Sequence, residues 1–215
     1  MTSQPKKPEK EYDEFRKFTG DTLIIATHNE NKLSELKLHF MAYSIDLKSA
    51  DEVNIPEPEE TEDSYKGNAI LKAVAAARSS GEVCLADDSG FGVEVLDWAP
   101  GIYSARFATK EDGTRDFSYG IKKLRKKMGE SPRSFKAKFF CAIAVAWPDG
   151  HYEVVQGEIE GDVVWPPRGG NGFGYDPIFQ PEGENKTFGE MDPAMKNDMS
   201  HRTRAIEKIL KSCFR

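Results

Sequence analysis

Cysteines are few in this 215-residue sequence, and long apolar runs and an excess of positive charge are missing from it. The three cysteines have no paired spacing and lie in apolar surroundings, which argues against a disulfide framework or a zinc site and indicates buried thiols in a reducing compartment. No apolar run approaches the roughly 20 residues that cross a bilayer, and residues 1–17 lack the apolar stretch of a secretory signal. The net charge of −6 argues against a general nucleic-acid binder. We therefore expect a cytoplasmic protein with no membrane or nucleic-acid partner.

The composition is sufficient for one folded domain. Hydrophobic residues make up 38% of the chain and charged residues 31%, which allows a buried core. Residues 1–20 alternate Lys and Glu without an apolar face and are predicted to be a flexible or loosely docked tail, with a single domain over residues 21–215. Strand-length apolar runs alternate with helical patterns and one hairpin, which predicts an α/β fold with a mixed sheet.

The elements themselves follow from hydrophobic periodicity and from capping residues. Residues 136–147 are apolar on both faces and are therefore expected to form a central strand. In chain order, the pattern predicts a strand at 22–26, a helix reaching Phe40, an alanine-rich helix ended by Gly81, a strand at 83–86, a basic helix at 120–128, the central strand, its hairpin partner at 151–159, and a last helix capped by Ser200.

The turn after the first strand contains Thr27, Asn29 and Lys32. Backbone amides at a helix N-terminus attract anions, and a nearby lysine supplies a point charge for phosphate. Phosphate binding is one interpretation of this turn. Ordinary capping of the helix by Thr27 or Asn29 is the other, and the local pattern alone favours capping.

Two acidic stretches are candidates for metal binding. Residues 51–63 carry seven acidic side chains, including Glu60, and no basic one; most of them are expected to be solvated, although such carboxylates could hold Mg²⁺. Asp87 and Asp88 come directly after the apolar strand at 83–86, where α/β enzymes place catalytic groups. Because successive side chains of a strand point to opposite faces, we expect only one of these two carboxylates to face a site, as a metal ligand or a base.

A glycine-rich loop at 168–176 is the fourth candidate, with Phe173 and Tyr175 between glycines. Such a loop lets the backbone approach a flat ligand while an aromatic ring stacks on it, although core aromatics in a tight turn are the more common meaning. Lys196 and the helix start at His201 and Arg202 follow downstream. Together the four clusters suggest a phosphate anchor, an acidic metal site and a stacking pocket, as expected for a nucleoside triphosphate.

The same residues resemble a known family. The sequence resembles the inosine triphosphate pyrophosphatase family from about residue 22 to residue 210, in the segments ATHNENK (26–32), EETEDSYKGNAILKA (59–73), LADDSGFGVEVLDWAPGIYSARFA (85–108), GFGYDPIF (172–179), KTFGEM (186–191) and KNDMSHR (196–202). The resemblance implies an elongated central mixed β-sheet flanked by helices, two lobes with the active site in the cleft between them, and a homodimer. It also implies Mg²⁺-dependent cleavage of noncanonical purine nucleoside triphosphates (ITP, dITP, XTP, dXTP) to the monophosphate and pyrophosphate.

The resemblance also implies roles for individual residues. Asp88 matches the catalytic carboxylate, which also binds the metal, and Glu60 matches a metal-binding glutamate. The positions that match substrate-binding residues are Thr27, Asn29, Lys32, Ser89, Phe173, Gly174, Tyr175, Asp176, Lys196, His201 and Arg202. For selection of a 6-oxo purine, we expect hydrogen-bond donors from His201, Arg202 and backbone amides near Phe173.

Three other functions fit parts of the sequence. A nucleotide pyrophosphatase for other modified bases, including pyrimidines, would keep the metal site and change the base loop. A non-enzymatic sensor would bind the triphosphate without releasing product. A nucleic-acid module using the basic helix at 120–128 conflicts with the net charge, so this helix is expected to present a solvated face.

Overall fold

Seven strands form one mixed sheet in the computed structural model, which describes residues 14–130 and 134–214. The strands are β1 (Thr22–Ile25), β2 (Asp46–Ser49), β3 (Val83–Val93), β4 (Pro100–Gly101), β5 (Lys136–Ala146), β6 (Tyr152–Val163) and β7 (Phe179–Pro181). Their order across the sheet is β2-β1-β3-β5-β6-β7, and β4 pairs with β3. β1 is parallel to β2 and β3, and the other pairs are antiparallel, so the predicted mixed sheet is confirmed.

Helices cover both faces of this sheet. They are α1 (Glu30–Phe40), α2 (Tyr65–Ser80), α3 (Ser104–Phe107), α4 (Phe117–Met128), α5 (Pro193–Met199) and α6 (His201–Cys213). The alanine-rich side of α2 packs on one face, against β1, β3 and β5. On the opposite face α1 and α6 share a core with the same strands. The predicted α/β fold is therefore confirmed.

The far ends of β3, β5 and β6 belong to a second hydrophobic core. This core contains Phe91, Phe139, Phe179 and the buried face of α4, with Leu124 fully buried. The polar face of α4 carries its lysines, as predicted for a solvated helix. The long strands therefore run through both cores, and the two predicted lobes share one sheet.

β3 is longer than predicted, because Asp87–Gly90 continue the strand. The prediction that the strand ends at Ala86 is wrong. β5 pairs with β3 without interruption from Cys84 to Val93, and this pairing overrides the turn tendency of an Asp-Ser-Gly sequence. Gly90 also permits close approach of β4, since a Cβ at position 90 would lie 2.2 Å from the carbonyl oxygen of Gly101.

The segment before β1 is bound to the domain. Phe15 is buried in the core beneath α6, and the Phe18 amide donates to the Cys213 carbonyl at 2.7 Å. Arg16 donates to Asp149 at 2.5 Å, across the hairpin turn between β5 and β6. Residues 15–18 of the predicted tail are therefore docked on the domain, the second of the two possibilities for this segment. Residues 1–13 lie outside the described residues.

Several local predictions are confirmed. Gly81 ends α2 with a φ of 73°, and the Ser200 hydroxyl caps α6 by accepting from the Thr203 amide. The three cysteines are buried free thiols. Burial raises the pKa of Cys84 to about 11 and that of Cys141 to about 12. Within residues 14–130 and 134–214, no helix has the length and apolarity needed to cross a membrane.

Candidate active site

A cavity opens beside β3, between the two lobes. β1 pairs with β3 only as far as Leu85, and β4 pairs with the same edge of β3 from Phe91 onwards. The edge of β3 between these two pairings, from Ala86 to Gly90, is therefore free to form the cavity floor. The cavity has a volume of about 680 Å³, in the range of small-ligand sites. Every predicted site residue lines it: Thr27, Asn29, Lys32, Glu60, Asp88, Ser89, Phe173, Gly174, Tyr175, Asp176, Lys196, His201 and Arg202.

The two adjacent aspartates point to opposite faces of β3. Asp88 lines the cavity on the α2 face, together with Lys72 and Asn68 of that helix. Asp87 faces α1 and α6 and is not part of the cavity lining. The prediction that only one of the two faces the site is confirmed, and Asp88 is that residue.

Asp88 and Glu60 both contact the ammonium group of Lys72. The Nζ atom of Lys72 lies 2.7 Å from Oε1 of Glu60 and 3.6 Å from Oδ1 of Asp88, and Asn68 donates to the other Asp88 oxygen at 3.2 Å. Burial raises the pKa of Asp88 despite the attraction of Lys72 and Lys32. Burial disfavours the charged form of Lys72 too, but its carboxylate neighbours outweigh burial and raise the pKa of this lysine.

Asp87 lies outside the cavity and connects two residues of its wall, Lys32 of α1 and Arg202 of α6. Its carboxylate lies 2.9 Å from Nζ of Lys32 and 3.6 Å from Nε of Arg202. Burial alone would raise the pKa of Asp87, but Lys32 and Arg202 reverse the effect and lower it to about 2. Asp87 is therefore held ionised, and it fixes a cation on α1 and another on α6.

The turn after β1 caps the helix that follows it, and its predicted phosphate binding stays a prediction. The Asn29 side chain accepts from the amides of Asn31 and Lys32, so the capping interpretation is confirmed for Asn29. The Thr27 hydroxyl accepts from the Asn29 amide at 3.3 Å. Lys32 still lines the cavity, at the same end as Glu60 and Asp88.

The glycine-rich loop packs one of its two aromatic rings, that of Tyr175, into the hydrophobic core. Tyr175 is buried, stacks on Phe91 with ring centroids 4.9 Å apart, and donates to the Ser104 carbonyl at 3.0 Å. Of the two aromatic rings, that of Tyr175 therefore belongs to the second core, which is the more common meaning of such a loop. The Phe173 amide donates to Asp176 at 2.8 Å, so this amide is not a free donor, and a donor role of other amides near Phe173 stays a prediction. Phe173 itself is half-buried and lines the cavity.

Lys196 and Arg202 are held by the carboxylates of Asp176, which is buried, and Glu35, which is half-buried. Lys196 donates to Asp176 at 2.8 Å and to Glu35 of α1 at 3.2 Å. Burial raises the pKa of Asp176 in spite of Lys196. Arg202 donates to Glu35 and, at 3.2 Å, to the Ser89 hydroxyl. His201 and Arg202 at the start of α6 are both buried, so they are not a solvated surface pair.

His201 presents a polar atom that the described residues leave free. Its ring stacks on Phe139, with centroids 4.8 Å apart and planes 14° from parallel. Burial, together with the cations Arg202 and Lys196, holds the pKa of His201 well below its usual range, so the imidazole is neutral. Its buried Nδ1 atom has no hydrogen-bond partner among the described residues.

Several further residues of the site were not predicted from the sequence. They include Asn68 and Lys72 of α2 and Glu35 of α1. Asn68 and Lys72 are four residues apart within an alanine-rich face, and both are buried in the structure. These polar side chains on an otherwise apolar helix face could have indicated a buried polar site, because buried polar groups need hydrogen-bond partners.

The carboxylates of Glu60 and Asp88 fit a magnesium site that substrate would complete. In the part of the chain that the structure describes, no three His, Cys, Asp or Glu side chains are grouped closely enough to hold a metal ion. Mg²⁺ is commonly bound through one or two carboxylates together with substrate phosphates and water. Two oxygen donors that already converge on one cation, Lys72, match that requirement.

Comparisons with known proteins agree with this fold. The model of the Ham1 family matches residues 23–212. The chain is 49% identical to a dITP/XTP pyrophosphatase of Rhodospirillum centenum and 50% identical to one of Ruegeria pomeroyi, covering 93% of this chain and 98% of each relative. The structure of a HAM1 protein from Coxiella burnetii superimposes with a TM-score of 0.80 at 34% identity, over 87% of this chain and 95% of that one. The Staphylococcus aureus Ham1 protein gives 0.78 at 34% identity, over 88% and 96%. The resemblance seen in the sequence is confirmed, and the chain belongs to the Ham1 family.

Proposed function

We propose that this enzyme hydrolyses noncanonical purine nucleoside triphosphates, ITP or dITP and XTP or dXTP, to the monophosphate and pyrophosphate. The observation that carries the proposal is one cavity with two chemically different ends. One end gathers Glu60, Asp88 and Lys72, and the other is lined by Phe173 and His201. Relatives that are about 50% identical over nearly their whole length are dITP/XTP pyrophosphatases, which supports the same reaction here.

Charge balance supports a role for Mg²⁺. Among the described residues, the cavity lining has six lysine and arginine side chains and five carboxylates. A nucleoside triphosphate brings about four negative charges, which this nearly balanced lining leaves largely uncompensated. Glu60 and Asp88 would hold the ion. Bound there, Mg²⁺ would supply positive charge for the phosphate oxygens and the leaving pyrophosphate.

Asp88 is the proposed base of the reaction. Its carboxylate orients the attacking water and accepts a proton from it, as the water oxygen approaches the α-phosphorus in line with the leaving pyrophosphate. The raised pKa of Asp88 makes this carboxylate a stronger proton acceptor than an exposed aspartate. Asn68 donates to one Asp88 oxygen and thereby fixes the orientation of the carboxylate.

His201 is the proposed donor for base selection. Inosine and xanthosine carry an oxo acceptor at C6, where adenosine carries an amino donor. A neutral imidazole has one N–H, and His201 is buried at the cavity wall with its Nδ1 atom unpaired among the described residues. A buried donor left without an acceptor disfavours the amino base by a factor that can reach about 10⁴. The Arg202 guanidinium already donates to Glu35 and Ser89, so its proposed role is to support the cavity wall and not to bind the base.

The homodimer and the cytoplasmic location are proposed together with this activity. The dimer is supported by the family resemblance, and light scattering of the purified full-length protein tests it. The location is supported by the three buried free thiols, which suit a reducing compartment.

Pyrophosphate release from ITP, XTP, ATP and GTP, measured in parallel with Mg²⁺ and with EDTA, tests the function. We expect fast release from ITP and XTP with Mg²⁺, little from ATP, which lacks the 6-oxo acceptor, and none with EDTA. Binding of all four without release would favour the sensor. Equal release from ATP and ITP would overturn the role given to His201.

A further inference from the structure

The ammonium group of Lys72 lies between the two carboxylates proposed to hold the metal. We propose that Lys72 is an internal counter-cation that competes with the divalent ion, so that the ion binds together with the nucleotide and not before it. This inference rests on the metal site of the proposed function and adds an order of binding to it.

The contacts show how closely Lys72 occupies this place. Its Nζ atom donates to Oε1 of Glu60 at 2.7 Å and lies 3.6 Å from Oδ1 of Asp88. Only 6% of the Lys72 side chain and 5% of the Asp88 side chain are exposed. An ion that took both carboxylates would therefore displace the ammonium group or share the same small, poorly hydrated space with it.

Electrostatics disfavours an ion in addition to the ammonium group. Two like-charged cations a few ångströms apart repel strongly where water is scarce, and a buried ammonium group without an acceptor loses its hydration. Lys72 starts from the middle of α2, whose neighbouring alanines are buried, so its backbone has little freedom to withdraw. In the free protein the lysine therefore weakens metal binding.

A triphosphate removes this conflict. Its oxygens would give the ammonium group a new acceptor inside the cavity, and they would also supply ligands that two carboxylates alone lack. The free protein is meanwhile stabilised, because Lys72 offsets the repulsion between the buried Asp88 and the nearby Glu60. Release of the carboxylates to the metal is thus coupled to arrival of the polyphosphate.

Binding of Mn²⁺ to the full-length protein without nucleotide tests the inference. Free Mn²⁺ is followed by electron paramagnetic resonance in the wild type, in Lys72→Gln and in the charge-conserving Lys72→Arg. We expect Lys72→Gln to bind Mn²⁺ about tenfold more tightly than the wild type, and Lys72→Arg to remain weak. A non-hydrolysable ITP analogue should tighten Mn²⁺ binding more in the wild type than in Lys72→Gln.

A melting experiment keeps the test decisive if Lys72→Gln is unstable. Without Lys72 the two carboxylates repel, so Mn²⁺ should raise the Tm of Lys72→Gln more than that of the wild type. Equal or weaker Mn²⁺ binding by Lys72→Gln, with an equal or smaller Tm shift, would overturn the competition. Failure to release pyrophosphate from ITP, with these metal results intact, would overturn the proposed reaction alone. No Mn²⁺ binding in any of the proteins, with or without the analogue, would overturn both the metal site and this inference.

Discussion

Two adjacent carboxylates of β3 have different chemical roles because a strand turns its side chains to alternate faces. Asp88 faces α2 and has a raised pKa, whereas Asp87 faces two fixed cations and has a pKa of about 2. A carboxylate suited to accept a proton thus lies beside one that remains charged and holds the wall in place. The backbone alternation alone separates these roles.

Replacement of Asp88 by asparagine is expected to reduce turnover by orders of magnitude while leaving nucleotide binding measurable. The amide cannot accept the proton of the attacking water, and loss of a general base costs about 10²–10⁴ in rate. Pyrophosphate release gives kcat, and calorimetry gives the Kd for ITP. Asp63→Asn, an exposed position in the acidic loop, is the matched control and should behave as the wild type. Near-normal turnover of Asp88→Asn would remove Asp88 from the role of base.

The buried His201 is expected to make stability depend on pH below about 6.5. In the unfolded chain a histidine takes up a proton near its ordinary pKa of about 6.5, whereas the folded protein holds His201 neutral to a much lower pH. The free energy of unfolding therefore falls as the pH drops from about 6.5 towards the folded pKa, by up to about 1.4 kcal/mol per pH unit.

Urea unfolding of the wild type and of His201→Gln at pH 7.5, 6.5 and 5.5 measures this effect. Other titrating groups, including His39, are common to both proteins and cancel in the difference between them. We expect the stability of His201→Gln to fall less steeply between pH 6.5 and 5.5. Parallel curves for the two proteins would show that His201 is protonated in the folded state.

At the scale of the elements, the position of α6 on the sheet places His201 and Arg202 in the cavity wall. β6 approaches the first turn of α6 at Gly157, where a Cβ would lie 2.4 Å from the His201 carbonyl and 2.5 Å from the Ala205 amide nitrogen. Both contacts are with backbone atoms, which cannot move aside without shifting the helix. The absence of a side chain at Gly157 therefore sets the distance between helix and strand.

Gly157→Ala is expected to destabilise the protein and to impair base selection. Forcing α6 away from β6 costs about 1–3 kcal/mol, as for other overpacked positions, and it moves His201 with the helix. Thermal unfolding and the ratio of ITP to ATP hydrolysis measure the two effects. Gly170→Ala is the control, because nothing lies within 4 Å of its Cβ position and its φ is not positive. Equal Tm values for the two variants would contradict this account of the helix position.

The helices and strands were largely predictable from local patterns, and the exceptions have physical reasons. Periodicity and caps predicted α2, α6 and the central β5, because each has a continuous apolar face and a defined end. The continuation of β3 through Asp87–Gly90 depends on pairing with β5, which is 50 residues away in the sequence. The role of Lys72 could not be predicted for a similar reason, because its partners belong to a loop and a strand that only the fold brings together.

At the scale of the whole molecule, the sheet order explains why the location of the site could be predicted from the sequence. It also explains why the contacts between the site residues could not. The motifs lie near the free part of the β3 edge, and each predicted residue lines the cavity. Which of them bind one another is decided by tertiary packing. The ring of Tyr175 packs in the second core. Glu35 belongs to no recognised motif, yet it binds both Lys196 and Arg202.

The two ends of the described chain meet on the side of the sheet covered by α6. Phe15 is buried in the core there, the ring of Phe18 lies 5.0 Å from that of Phe214, and Lys17 donates to the Ser212 carbonyl. None of these residues lines the cavity. The segment before β1 therefore contributes to global stability and not to the chemistry of the site.

Phe15→Ala is expected to lower the free energy of unfolding by about 3 kcal/mol and to leave kcat for ITP unchanged. Removing a buried phenyl ring costs the lost transfer free energy and leaves a cavity beneath α6, which together reach about 3–5 kcal/mol at well-packed sites. Chemical denaturation and pyrophosphate release at a temperature where both proteins are folded measure the two quantities. Leu38→Ala, at a side chain that is 54% exposed, is the control and should change neither. A stability equal to that of the wild type would mean that the segment before β1 lies on the core without supporting it, and a loss of kcat alone would mean that its packing reaches the cavity through α6.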